Sequence, residues 1–191
     1  MKQLLCNNRE GYSLYSAERE FDSTICFENL NFISLPSVAF VLLSTGDIWR
    51  SLKHPVRSEH NSRAKLGAKL VAYLALNLLL VLQLFDTLDY SIESISQASE
   101  YVSITLATLL SIIHHNRFNK PPTLLLLYYP LIILSNLVKL RTTIISDYDL
   151  IDPRLLIPTI ALTAFIWILE SSGPGYPPSN DPLQDASVYS L

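Results

Sequence analysis

Glycine is scarce: the 191-residue chain has five, and none is followed by Lys-Ser or Lys-Thr. A phosphate loop of the form G-x-x-x-x-G-K-[ST] is therefore absent, and ATP binding and hydrolysis by that chemistry are excluded for this chain. Charge is scarce too, with 16% Asp, Glu, Lys and Arg against 49% hydrophobic residues. The net charge of −3 argues against a nucleic-acid partner, because phosphate backbones select basic surfaces. No G-x-S-x-G elbow supports a Ser-His-Asp site. The four histidines, His54, His60, His114 and His115, have no Cys or acidic residue at metal-ligand spacing. Adjacent histidines also point in different directions on a helix, so interfacial positions explain them better. No catalytic, cofactor-binding or metal-binding residue is expected. The opening MKQLLCNNREGY lacks an apolar h-region long enough for a cleavable signal peptide.

Long uncharged runs stand in place of these sites. Residues 121–138 carry no charge. At about 1.5 Å per residue this run reaches roughly 27 Å, close to the thickness of a bilayer core. A soluble helix would normally show one face to water, so a uniformly apolar run belongs in a membrane. Four other stretches read as spans. The expected spans are residues 29–49, 66–86, 98–115, 122–140 and 154–170. The third holds Glu100 and several Ser and Thr, which lipid-facing helices tolerate by bonding back to a carbonyl one turn earlier. The fifth is short. The expected architecture is an all-α, multi-pass membrane protein, a bundle of five transmembrane helices over residues 29–170. A tail of residues 1–28 precedes it. Residues 171–191, rich in Pro, Ser and Gly, read as a disordered tail.

Lys and Arg set the expected orientation. Arg50, Lys53, Arg57, Arg63 and Lys65 lie between spans one and two, and Arg117 and Lys120 between three and four. Residues 85–100 hold none. Positive loops face the cytosol, which puts the N-terminus outside or lumenal and the C-terminus in the cytosol. Lys139, Arg141 and Arg154 in the fourth loop partly dissent. Lys65 and Lys69, at the start of span two, are expected to snorkel to the interface.

Cys6 and Cys26 both precede the first span. In an oxidising compartment a disulfide is permitted. It would close a loop of about twenty residues and contribute around 3 kcal/mol; the alternative is two unpaired thiols. Within the spans, Asn31, Asn77, Gln83 and Asn136 are candidate polar contacts, most simply helix–helix hydrogen bonds. Pro36, Pro130 and Pro158 are expected to kink their helices. No charge sits at mid-span, and neither the intramembrane carboxylates nor the metal site of an embedded enzyme is visible.

Three stretches together resemble a known family. They are FDSTICFENLNFISLPSVAFVLL at 21–43, RSLKHPV at 50–56, and RFNKPPTLLLLYYPLIILSNLVKLRT at 117–142. In order and spacing they are similar to the N-terminal membrane domain, TMD0, of C-subfamily ATP-binding cassette transporters, the multidrug-resistance-associated type, and most to fungal members. In the third stretch Pro122-Thr123 stands where the family has Pro-Ser. The resemblance covers roughly residues 6–170. It implies five spans with the N-terminus outside and a disulfide matching Cys6 and Cys26. It also implies a non-catalytic module serving trafficking, regulation or partner binding. Its partners would be the lipid bilayer and a partner membrane protein or transporter core, in a plasma or vacuolar membrane. The family's charged linker after span five is not matched by SSGPGYPPSNDPLQDASVYSL. The chain then reads as a truncated transporter or a stand-alone descendant of the domain. The alternative function is a small membrane protein of a fungal biosynthetic pathway, either an embedded enzyme or an accessory factor.

Overall fold

The computed structural model describes residues 25–53, 63–87, 91–118, 122–145 and 153–172. Cys6 and most of the N-terminal tail lie outside the described residues. So do most of the first basic loop and the tail expected to be disordered.

Five long helices form the described structure. Helix α1 runs without a break through an α-helical turn Ile25–Glu28, a π-helical stretch Asn29–Ser34 and an α-helix Leu35–Leu52. Helix α2 is Arg63–Asp86, α3 is Ser91–Arg117, α4 is Thr123–Ile145 and α5 is Pro153–Ser171. Pro153 opens α5 where a missing N–H costs nothing. In α3, Glu93 occupies the first turn and His114, His115 and Arg117 the last, which suits the helix dipole at both ends.

The wide turn in α1 has a local cause. Pro36 brings no N–H to the carbonyl of Phe32, four residues back. The preceding stretch widens, and the Leu35 N–H donates to the Leu30 carbonyl in the π pattern. The Ser34 hydroxyl donates to the Asn29 carbonyl at 3.0 Å. Ser135 of α4 donates its hydroxyl to the Phe32 carbonyl, supplying a donor that Pro36 cannot.

The helices pack as a closed ring. Going round it, α1 lies beside α3, α3 beside α2, α2 beside α5, α5 beside α4, and α4 beside α1 again. The centre holds Phe40, Tyr73, Leu76, Leu110, Tyr129 and Ile132, all nearly inaccessible. Phe40 stacks on Tyr128 with centroids 4.0 Å apart. Thus the uncharged run that marks α4 does two jobs. Its Leu127, Leu131 and Leu134 face outward, while Tyr128 and Tyr129 fill the middle.

The outer surface is apolar. Leu42, Leu43, Val71, Leu74, Leu78 and Phe85 are among its large exposed side chains. Four helices are long and apolar enough to cross a membrane: Cys26–Leu52, Arg63–Asp86, Thr123–Ile144 and Pro153–Ser171. Helix α3 has a lower mean hydropathy for a structural reason. Its Ser96, Gln97, Glu100, Ser103 and Ser111 are buried, while Ile95, Val102 and Leu109 point out. Its polar face looks into the bundle and its apolar face toward lipid.

Two helices start earlier than their uncharged runs suggest. Helix α1 begins at Ile25 and α3 at Ser91, because Glu28, Glu93 and Gln97 are turned inward rather than excluded. Lys69 corrects the snorkelling expectation. Its side chain is 6% exposed and points into the bundle. A carboxylate from a distant part of the chain receives it there.

Candidate functional site

Two buried polar clusters occupy the interior. The first joins α2, α3, α4 and α5. Lys69 donates from Nζ to Glu170 Oε2 at 2.9 Å. The Tyr73 hydroxyl donates to Glu170 Oε1 at 3.2 Å, and Ser111 donates to the same oxygen. Tyr73 and Tyr129 are linked hydroxyl to hydroxyl. Both Glu170 oxygens are therefore occupied, and the last turn of α5 is tied to two other helices directly and to α4 through Tyr73. A buried ion pair of this kind is stable only when its remaining valences are also satisfied.

The second cluster joins α3 and α4 toward the start of α3. Asn136 donates from Nδ2 to Glu100 Oε1 at 2.8 Å. Ser103 and Tyr128 share a hydrogen bond one turn further along. Nearby, Thr142 donates to Glu28 Oε2 at 2.6 Å, and Ser96 to Asn29 Oδ1 at 3.3 Å. In contrast to the first cluster, several buried atoms here have no hydrogen-bond partner. They are Glu93 Oε1, both amide atoms of Gln97, Glu100 Oε2 and Lys139 Nζ.

The four polar residues singled out in the sequence are placed apart. Gln83 donates to the Leu155 carbonyl at 3.1 Å and to Thr159 Oγ1 at 2.8 Å, joining α2 to α5. Asn77 donates to the Tyr73 carbonyl at 2.8 Å and accepts from Thr105 at 3.1 Å, joining α2 to α3. Asn136 joins α4 to α3 through Glu100. Asn31 donates to the Phe27 carbonyl on its own helix at 3.0 Å. These residues occupy different seams and form no common pocket.

Sequence reasoning missed the ionisable residues of both clusters. They sit near span ends, where a charge is ordinarily read as interfacial. Lys69 and Glu170 are also 101 positions apart, beyond any local pattern. The usable signal is the general one: an ionisable residue within a span faces the bundle interior and pairs there. The expectation that no carboxylate lies inside therefore changes, with Glu28, Glu93, Glu100 and Glu170 all buried.

In the last turn of α3, His114 Nε2 lies 3.4 Å from Ser51 Oγ and 3.6 Å from Asp47 Oδ2. Asp47, Arg50, His114 and Phe118 border an open surface cavity of about 650 Å³. Among the described residues, no group of three His, Cys, Asp or Glu side chains is arranged to hold a metal ion.

An apolar exterior, polar side chains turned inward around an apolar core, and five packed helices define a multi-pass integral membrane domain in contact with the lipid bilayer. The chain belongs to the ABC transporter TMD0 domain family, whose model matches residues 3–156. It is similar to the ABC transporter ALT5 of Alternaria alternata, at 29% identity over 161 residues. That match covers 79% of this chain and 10% of the relative. The chain thus spans about a tenth of the length of the curated relative it matches.

Proposed function

We propose that this domain is a non-catalytic accessory module of an ABC transporter, acting by helix contact with a transport core or another membrane protein to support its trafficking or regulation. The match over residues 3–156 carries this reading. The interior adds support, because Lys69, Gln83, Asn77, Asn136 and Glu170 bond from one helix to another. The cavity beside Glu93 and Lys139 measures about 20 Å³. A substrate pocket typically needs hundreds of cubic ångströms, so an embedded enzyme has no room at these carboxylates. The membrane would be the plasma or the vacuolar membrane.

The direct test is co-expression of the tagged chain in a fungal cell with an ABC transport core lacking its own TMD0. Co-purification, and a change in where the core resides, are the expected results. A core whose location, transport and interactions are indifferent to the chain would overturn the proposal.

Within this reading, the N-terminus faces outside or the lumen and the C-terminus the cytosol, as the Lys and Arg excess in the first loop supports. Glycosylation acceptors placed in the N-terminal tail and at the turn between α2 and α3 should be modified. Modification in the loop between α1 and α2 instead would reverse the orientation. Cys26 and Cys6 pair as a disulfide; burial of Cys26 and the absence of a free thiol among the described residues support this. Non-reducing gels should show faster migration and blocked thiol labelling, both lost on reduction.

A further inference from the structure

The open cavity of about 650 Å³ lies outside both buried clusters. It forms where the last turns of α1 meet the end of α3 and the start of α4. Gly46, Asp47 and Arg50 come from α1, His114 and Phe118 from the end of α3, and Leu124 from α4. This end of the bundle lies at headgroup level. Trp49 is 68% exposed, with Lys53 Nζ 5.7 Å from the centre of its ring, and Arg117 donates to the Leu52 carbonyl at 3.0 Å. An exposed Trp beside Lys and Arg at a span end marks a membrane–water interface. Toward the span, the cavity continues along Leu42 and Leu43, both exposed on the lipid-facing surface.

The charges on its wall are accessible. The Asp47 side chain is 36% exposed, and Arg50 is exposed. They stand three positions apart, on one face of the helix. Among the described residues Arg50 forms no ion pair, and the partner of Asp47 is His114, 3.6 Å away and cationic only when protonated. Gly46 keeps the space beside them open. It lies inside the α-helix Leu35–Leu52, where Gly is less favourable than Ala. A Cβ added there would meet no atom within 4 Å, so close packing does not require the glycine.

We propose that this cavity binds one phospholipid whose headgroup carries both a phosphate and a primary ammonium, the ethanolamine class. The Arg50 guanidinium donates to the phosphate, the Asp47 carboxylate accepts from the ammonium, and an acyl chain lies along Leu42 and Leu43. The volume is in the range of small-molecule sites. A purely anionic headgroup would set its charge against Asp47, and a choline headgroup has no N–H to donate to that carboxylate.

Native mass spectrometry of the full chain in detergent tests this, with dioleoyl-phosphatidylethanolamine, dioleoyl-phosphatidylcholine and dioleoyl-phosphatidylglycerol added in turn. The first bound lipid should be retained several-fold more strongly for ethanolamine than for the other two. In Asp47→Asn the advantage over choline should disappear. In Gly46→Leu the added side chain occupies the cavity, and retention of the ethanolamine lipid should fall several-fold. Thermal unfolding of that variant should match the wild type, because the new side chain enters open space. Equal retention of the three lipids by the wild-type protein, or phosphatidylglycerol ahead, would overturn the proposal without any variant. Undiminished binding in Gly46→Leu, or an ethanolamine advantage that persists in Asp47→Asn, would overturn it equally.

Discussion

The two buried clusters are made of the same parts and finished differently. Each has a lysine, at least one glutamate, and a tyrosine close by. At Glu170 both carboxylate oxygens receive donors, from Lys69, Tyr73 and Ser111. Around Glu100 one oxygen receives Asn136, and the neighbouring Lys139 has no direct bond. A buried charge is held in place by the completeness of its hydrogen bonding, because desolvation of an ion offsets most of its Coulomb attraction. The first cluster therefore fixes helix positions, and the second ties its helices together less completely.

The largest effect should come from breaking the complete cluster. Glu170→Leu leaves Lys69 buried and uncompensated, a loss of about 3–5 kcal/mol in comparable buried pairs. The double variant Lys69→Met with Glu170→Leu should recover most of it, since the two apolar chains can pack where the ions were. Thermal unfolding in detergent or bilayers measures both. If the double variant is as unstable as Glu170→Leu, the pair is not coupled and the contrast between the clusters fails.

Lys139→Met should do much less. No direct hydrogen bond is lost, and the change is expected to fall within about 1 kcal/mol of wild type. A cost equal to that of Glu170→Leu would mean that Lys139 is as firmly engaged as Lys69, and that the clusters do not differ.

The comparison also shows what the sequence could and could not display. The bundle itself is legible, because bilayer thickness imposes a run length and residues 121–138 meet it without a charge. Helix α3 is harder to read, since its buried Ser96, Gln97, Glu100 and Ser103 lower its mean hydropathy while its outer face remains apolar. Polar positions such as Gln83 and Asn136 stand out against their apolar neighbours. What each one meets does not, because a contact between α2 and α5 spans 72 to 76 positions of sequence. Lys69 shows the same limit: its place near a span end suits both snorkelling and inward pairing, and only the arrival of Glu170 decides between them.

Single neutral bonds between helices rank next. Gln83→Leu removes two acceptor contacts on α5, at Leu155 and Thr159. Interhelical bonds within membranes average about 0.6 kcal/mol and reach about 1.7. The expected loss is about 1 kcal/mol, well below Glu170→Leu. A larger loss would move Gln83 into the class of the ionic cluster.

The smallest effect tests whether a neutral bond, like the charged ones, matters for what it completes. The single O–H of Ser135 is shared between the Phe32 carbonyl on α1 and the Leu131 carbonyl on its own helix, the latter at 2.8 Å. Ser135→Ala should cost about 0.6 kcal/mol, the typical value for one interhelical bond. The reason for the bond is Pro36, which withholds an N–H from the Phe32 carbonyl. In a Pro36→Ala background the helix can supply that donor itself, and Ser135→Ala should then cost almost nothing. A double-mutant cycle on thermal stability reads the difference. Equal costs in the two backgrounds would show that Ser135 contributes by packing, and that the Phe32 carbonyl never depended on it.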